Sequence, residues 1–191
     1  MVFRRIYGEE IELVSAEAIE DEFKKELAAV KRRASGYRGM AAEYKVRYRL
    51  LAASLADASL SDLVTGQTPP DLTLDSFASI GKARFHLDQE RSVEIDLHAV
   101  SDGDDGTDLM VEVKDWEREP SVDAVRRFVE VKEALAGRLA RRTEFLFYSE
   151  SGLSEKSAAM LAAAGIWVLD PEKLARYETP PGLWERSDLS L

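Results

Sequence analysis

VEIDLHAVSDGDDGTDLMVEVKDW, residues 93–116, reads as two antiparallel strands joined by a Gly/Asp-rich turn. Along 93–100, Val93, Ile95, Leu97 and Ala99 alternate with Glu94, Asp96 and His98. Along 109–114, Leu109, Val111 and Val113 alternate with Met110, Glu112 and Lys114. Side chains of a strand alternate faces with period two, so each run predicts one apolar and one polar face. The turn between them, Ser-Asp-Gly-Asp-Asp-Gly-Thr, consists of residues that tolerate unusual backbone angles. With both apolar faces in one core, Asp96, Glu112 and Lys114 converge on the other side.

That convergence has a chemical use. Clustered carboxylates repel one another unless a cation neutralises them, and hard oxygen donors suit Mg²⁺. A divalent cation held there can polarise a phosphodiester and help deprotonate a water. A neighbouring ammonium can position that water or stabilise charge on the phosphate. Glu-x-Lys also occurs at Glu22–Lys24, Glu43–Lys45 and Glu130–Lys132, in segments with helical spacing, where such a pair is ordinary solvated surface. Only the 112–114 copy lies on an alternating strand with a Glu-x-Asp strand just upstream.

Glu-Ile-Asp-Leu at 94–97, the Gly-rich turn and Val-Glu-Val-Lys at 111–114 resemble the restriction-endonuclease-like superfamily, the PD-(D/E)xK nucleases. Within it they are most similar to the small Holliday-junction-resolvase-like and Mrr-like members. The resemblance runs from Gly39 to Asp170. It implies an α/β three-layer fold with a mixed central sheet of about five strands flanked by helices, the core order being helix, three strands, helix, strand. It also implies Mg²⁺- or Mn²⁺-dependent hydrolysis of nucleic-acid phosphodiesters, with DNA as the partner. Asp96 stands at the motif's first acidic position, Glu112 at the second and Lys114 at its lysine; Ile95 replaces the proline of the motif's name. Asp96 and Glu112 would ligate the metal, with the Val113 carbonyl beside them, and Lys114 would orient or activate the water. In such nucleases the first core helix often carries a further glutamate, and Gly39-Met-Ala-Ala-Glu43 looks like that helix start, which makes Glu43 a third candidate ligand. Its alternative is a surface ion pair with Arg47. Arg126 and Arg127 follow close behind the motif, where basic residues in the resembled family can touch the cleaved phosphate. Lys82 and Arg84, on the polar face of a strand at 80–88, could line a phosphate track.

The chain has 191 residues, no cysteine and two histidines. Its length predicts one domain with a good core. The missing cysteines exclude disulfides and cysteine–zinc sites and fit a reducing cytoplasm, the expected location. The stretch MVFRRIYGEEIELV has no apolar signal core, and the small-apolar run 158–169 is shorter than the roughly 20 residues that span a bilayer, so no membrane association is expected. The net charge of −10 opposes simple nucleic-acid binding, which draws on basic residues. The excess is uneven: residues 1–50 hold eleven Lys/Arg against nine Asp/Glu. The competing reading, favoured by the acidity, is a catalytically inactive nucleic-acid-binding or protein-interaction module on the same fold.

Residues 1–36 form an accessory segment, 37–170 the nuclease-like core and 171–191 a tail. Ser15 caps a helix with an apolar stripe at Ile19, Phe23, Leu27, Val30 and Ala34, which Gly36 is expected to stop. Something must cover that stripe: the domain itself, or a second copy or partner protein docking on the 15–35 helix. A second helix runs to Ala58, 59–79 is a loop, and Ser121 caps a helix reaching Leu139. Glu144–Ser149 reads as a buried strand, Ser154 caps a short helix, and Ile166–Leu169 is a last strand. No internal repeat, Gly-rich phosphate loop or serine elbow is present, so an ATPase or serine hydrolase is unsupported.

Overall fold

A computed structural model describes residues 3–7, 10–14, 16–66, 68–114 and 118–178, with side chains from Lys24 onward except those of Arg32 and Ser35. The chain divides into two compact units, residues 1–40 and 41–191. In the first, β1 (Phe3–Tyr7) pairs antiparallel with β2 (Glu10–Val14). The helix α1 runs from Ala16 to Leu55 without a break, so the predicted stop at Gly36 is absent. Neither Gly36 nor Gly39 takes a positive φ. A helical glycine costs only about 1 kcal/mol relative to alanine, less than the helix gains from the formers on either side and the anchoring of its C-terminal half.

That anchoring begins at Ala42. Ala42, Val46, Leu50 and Ala53 recur at three- and four-residue spacing and are buried. They pack with Leu97, Ala99, Val111, Val113, Leu146 and Tyr148 on one face of a six-stranded sheet. Each fully buried leucine there contributes roughly 1.5–3 kcal/mol. The sheet contains β3 (Val64–Thr65), β4 (Phe77–His86), β5 (Ser92–Ser101), β6 (Asp108–Lys114), β7 (Thr143–Ser149) and β8 (Trp167–Leu169), in the order β3-β8-β7-β6-β5-β4. It is mixed: β6–β7 and β7–β8 are parallel and the other pairs antiparallel. The helices α2 (Val122–Leu135) and α3 (Glu155–Ala163) follow β6 and β7, capped by Ser121 and Ser154 as expected. A short helix, α4 (Pro171–Leu174), brings Leu174 into the first core cluster. The order α1, β4, β5, β6, α2, β7 is the helix, three strands, helix, strand that the resemblance implied.

Two further expectations are corrected. Residues 59–79 are not a bare loop: Leu60–Asp62 form a 3-10 turn, β3 follows, and Leu60, Leu63, Val64 and Leu74 are buried. The sixth strand comes from here. The central hairpin, moreover, does not have one apolar and one polar face. Met110 and Ile95 are fully buried in a second cluster, with Val125, Phe128, Leu135, Phe145, Phe147 and Leu161. Ile95 therefore lies on the opposite face from Leu97 and Ala99. A bulge in β5 is the cause. Gly81 pairs with His98 but Ala83 pairs with Ile95, so Asp96 and Leu97 together stand opposite Lys82 alone. One extra residue reverses the inside–outside sense of a strand beyond it. Tail residues 179–191, including Trp184, lie outside the described residues.

Candidate active site

The bulge also re-aims Asp96. The β5–β6 ladder runs through Ala99–Leu109 and His98–Met110 and ends at Leu97–Val111. Beyond that point β6 keeps its other partner, β7, with Glu112 opposite Phe147 and Lys114 opposite Ser149. On the β5 side the Val113 N–H is left without a backbone acceptor, and Asp96 Oδ2 takes it at 2.9 Å. A carboxylate thus replaces the strand where the strands part. Lys114 Nζ pairs with Glu112 and lies 3.6 Å from Asp96 Oδ2. The three side chains are 17–20% exposed, sunk in the fork yet reachable from solvent.

Charge is crowded there. Burial is the main force raising the Glu112 pKa above its ordinary 4.5; Asp96 and Glu43 add to the rise, and Lys114 opposes it. Glu43, on α1, lies 3.3 Å from Lys82, which also lies 3.5 Å from Glu94. Burial disfavours the Lys82 ammonium, but Glu43, Asp96 and Glu94 together outweigh it and hold its pKa above the ordinary value. The site is therefore an acidic ridge stitched by two lysines rather than a ring of carboxylates. Among the described residues, no group of three or more Asp, Glu or His side chains is close enough to hold a metal by itself. Two hard carboxylates that crowd each other still fit Mg²⁺, which takes one or two carboxylates and completes its shell with water and substrate phosphate.

The predicted basic residues are placed less favourably. Arg84 pairs with Glu94 at 3.0 Å and Arg126 with Asp123 at 2.6 Å, while Arg127 is exposed on α2. None of the three contacts Asp96, Glu112 or Lys114 among the described residues. His98 sits away from the fork: its Nε2 lies 3.5 Å from Asp108 Oδ2, and burial lowers its pKa.

The sequence reading missed two acidic residues, one beside the fork and one at the other end of the hairpin. Glu150, one residue past β7, accepts from Lys45 Nζ at 2.8 Å and from the Tyr148 hydroxyl, and its N–H donates to the Lys114 carbonyl at 3.3 Å. The available signal was its place at the carboxyl end of a parallel strand, where open α/β sheets gather functional groups. A cavity of about 930 Å³ opens at the same end of β7 and β8, bounded by Ser149, Glu150, Leu153 and Trp167. Asp108 was also missed. It is 6% exposed, accepts from the Ser101 N–H at 3.0 Å and lies 3.4 Å from Arg141 Nε, fixing the far end of the hairpin.

No family model matches the chain, and no curated protein matches it. Two solved structures are similar to part of it. A repair endonuclease from Pyrococcus abyssi is 19% identical with a TM-score of 0.35, covering 47% of this chain and 38% of that one. An EndoMS–dsDNA2 complex is 18% identical with a TM-score of 0.34, covering 49% of this chain and 38% of that one. The matched region thus spans well under half the length of either structure. No helix among the described residues is long and apolar enough to cross a membrane.

Proposed function

We propose that the chain is a metal-dependent nuclease of the restriction-endonuclease-like kind that hydrolyses DNA phosphodiester bonds. One observation carries this reading: the bulge and the parting of β5 from β6 bring Asp96, Glu112 and Lys114 together in a half-buried fork. Asp96 has a structural use there, accepting the Val113 N–H, but the ladder's end gives none to a second half-buried carboxylate and an ammonium beside it. Asp96 and Glu112 would hold Mg²⁺ or Mn²⁺, which when bound polarises the scissile phosphate. Lys114 would exchange its contact with Glu112 for the attacking water or the phosphate oxygen. Glu43 stands one ion pair away, across Lys82, as an outer carboxylate that displacement of Lys82 would free. Lys82, Arg84, Arg126 and Arg127 would contact the DNA backbone. The N-terminal helix is the element that meets another protein chain.

The test is DNA cleavage in Mn²⁺ with two substitutions. Asp96→Asn and Lys114→Ala should each lower the rate by at least about 100-fold, the scale of losing one transition-state contact. Far-UV circular dichroism should stay unchanged. Full activity in both variants would remove the assignment.

The net charge of −10 favours a second reading, an inactive binding module. Mn²⁺ affinity separates the two: the nuclease reading requires Mn²⁺ binding that Asp96→Asn abolishes, whereas a decayed site need bind no metal.

A further inference from the structure

In the unit formed by residues 1–40, α1 exposes large apolar side chains that nothing in the proposed chemistry uses. Leu27 is 42% exposed, Val30 59% and Tyr37 71%. With Phe23 and Ala34 they recur at alternating four- and three-residue steps. Steps of that kind line the five residues up along one side of the helix, the arrangement of a coiled-coil seam. The flanks are charged in blocks. Residues 16–26 hold five acids and two lysines; residues 31–38 hold four bases and no acid.

We propose that the partner is a second copy of this chain, docked antiparallel along this stripe. A parallel pair would lay the basic block of one copy on that of the other and set Arg33 against Arg38. An antiparallel pair lays acidic block on basic block. With Leu27 opposite Val30 of the other copy, the heptad register sets Phe23 opposite Ala34, a large residue on a small one. It sets Glu26 opposite Arg33, while Lys24 and Lys31 meet as like charges. Each pairing occurs twice by symmetry, as an isologous two-fold interface requires. The inference is independent of the chemistry assigned to Asp96, Glu112 and Lys114.

The full chain has no cysteine, so introduced cysteines report the geometry cleanly. Light scattering of the full chain should give twice its 21.4 kDa mass. Leu27→Glu/Val30→Glu should return it to the single mass with its thermal unfolding retained. Mixing Phe23→Cys with Ala34→Cys protein under mild oxidation should give a disulfide-linked heterodimer. Ala34→Cys alone should give none, because an antiparallel pair holds the two Ala34 positions about 16 Å apart, beyond disulfide reach. A monomeric wild type, a dimer that survives Leu27→Glu/Val30→Glu, or rapid Ala34→Cys self-linking would each overturn the proposal.

Discussion

Asp96 does two things at once: it accepts the Val113 N–H at 2.9 Å and presents its carboxylate to Lys114. Asp96→Asn keeps the shape and can keep the hydrogen bond through its carbonyl oxygen, so it should cost cleavage far more than stability. Glu112 behaves differently because burial has already raised its pKa above 4.5. A proton competes with a metal for the same oxygens. As pH falls, the folded-state Glu112 takes up its proton earlier than an ordinary glutamate would. Mn²⁺ affinity should therefore weaken on acidification at pH values still above 4.5. Calorimetric titrations across that range check this, and an affinity flat down to pH 4.5 would contradict the assignment. The residue types of the fork were legible in the sequence, since Asp…Glu-x-Lys on alternating strands is a local pattern. The placement of Glu43 against Lys82 was not, because it depends on how α1 lies over β4.

At the scale of elements, the strands of the central hairpin could be read from alternation alone, but the bulge at Asp96–Leu97 could not. The bulge is fixed by pairing with β4, where Lys82 stands opposite two residues, and Ile95 looks like one more inward residue until that pairing is known. The buried 3-10 turn and two-residue β3 were unreadable for another reason. They carry no period, and Leu60, Leu63 and Leu74 are buried by tertiary packing. The glycines separate cleanly by environment. A Cβ on Gly36 would meet nothing within 4 Å, so Gly36→Ala should stabilise α1 by about 0.5–1 kcal/mol. A Cβ on Gly106 would stand 1.8 Å from Ser101 Oγ, whose residue is only 1% exposed. Gly106→Ala should therefore destabilise by about 1–3 kcal/mol, the usual penalty of overpacking. Urea unfolding of the two variants should give shifts of opposite sign.

For the whole molecule, a three-layer core carries a fork at the ends of β5 and β6, and its acidity needs a counter-charge. Saturating Mn²⁺ should stabilise the protein by mass action, by about 2.7 kcal/mol when free metal is 100-fold above the dissociation constant. Thermal unfolding should show that gain in the wild type and lose it in Asp96→Asn. The measurement that bears most directly on the central claim is cleavage of plasmid, linear, single-stranded and four-way-junction DNA in Mn²⁺, with wild type and Lys114→Ala side by side. Cleavage of at least one substrate by the wild type, absent from Lys114→Ala and from a chelated control, is the predicted result. Equal cleavage by both proteins, or none by the wild type on any substrate, would contradict it.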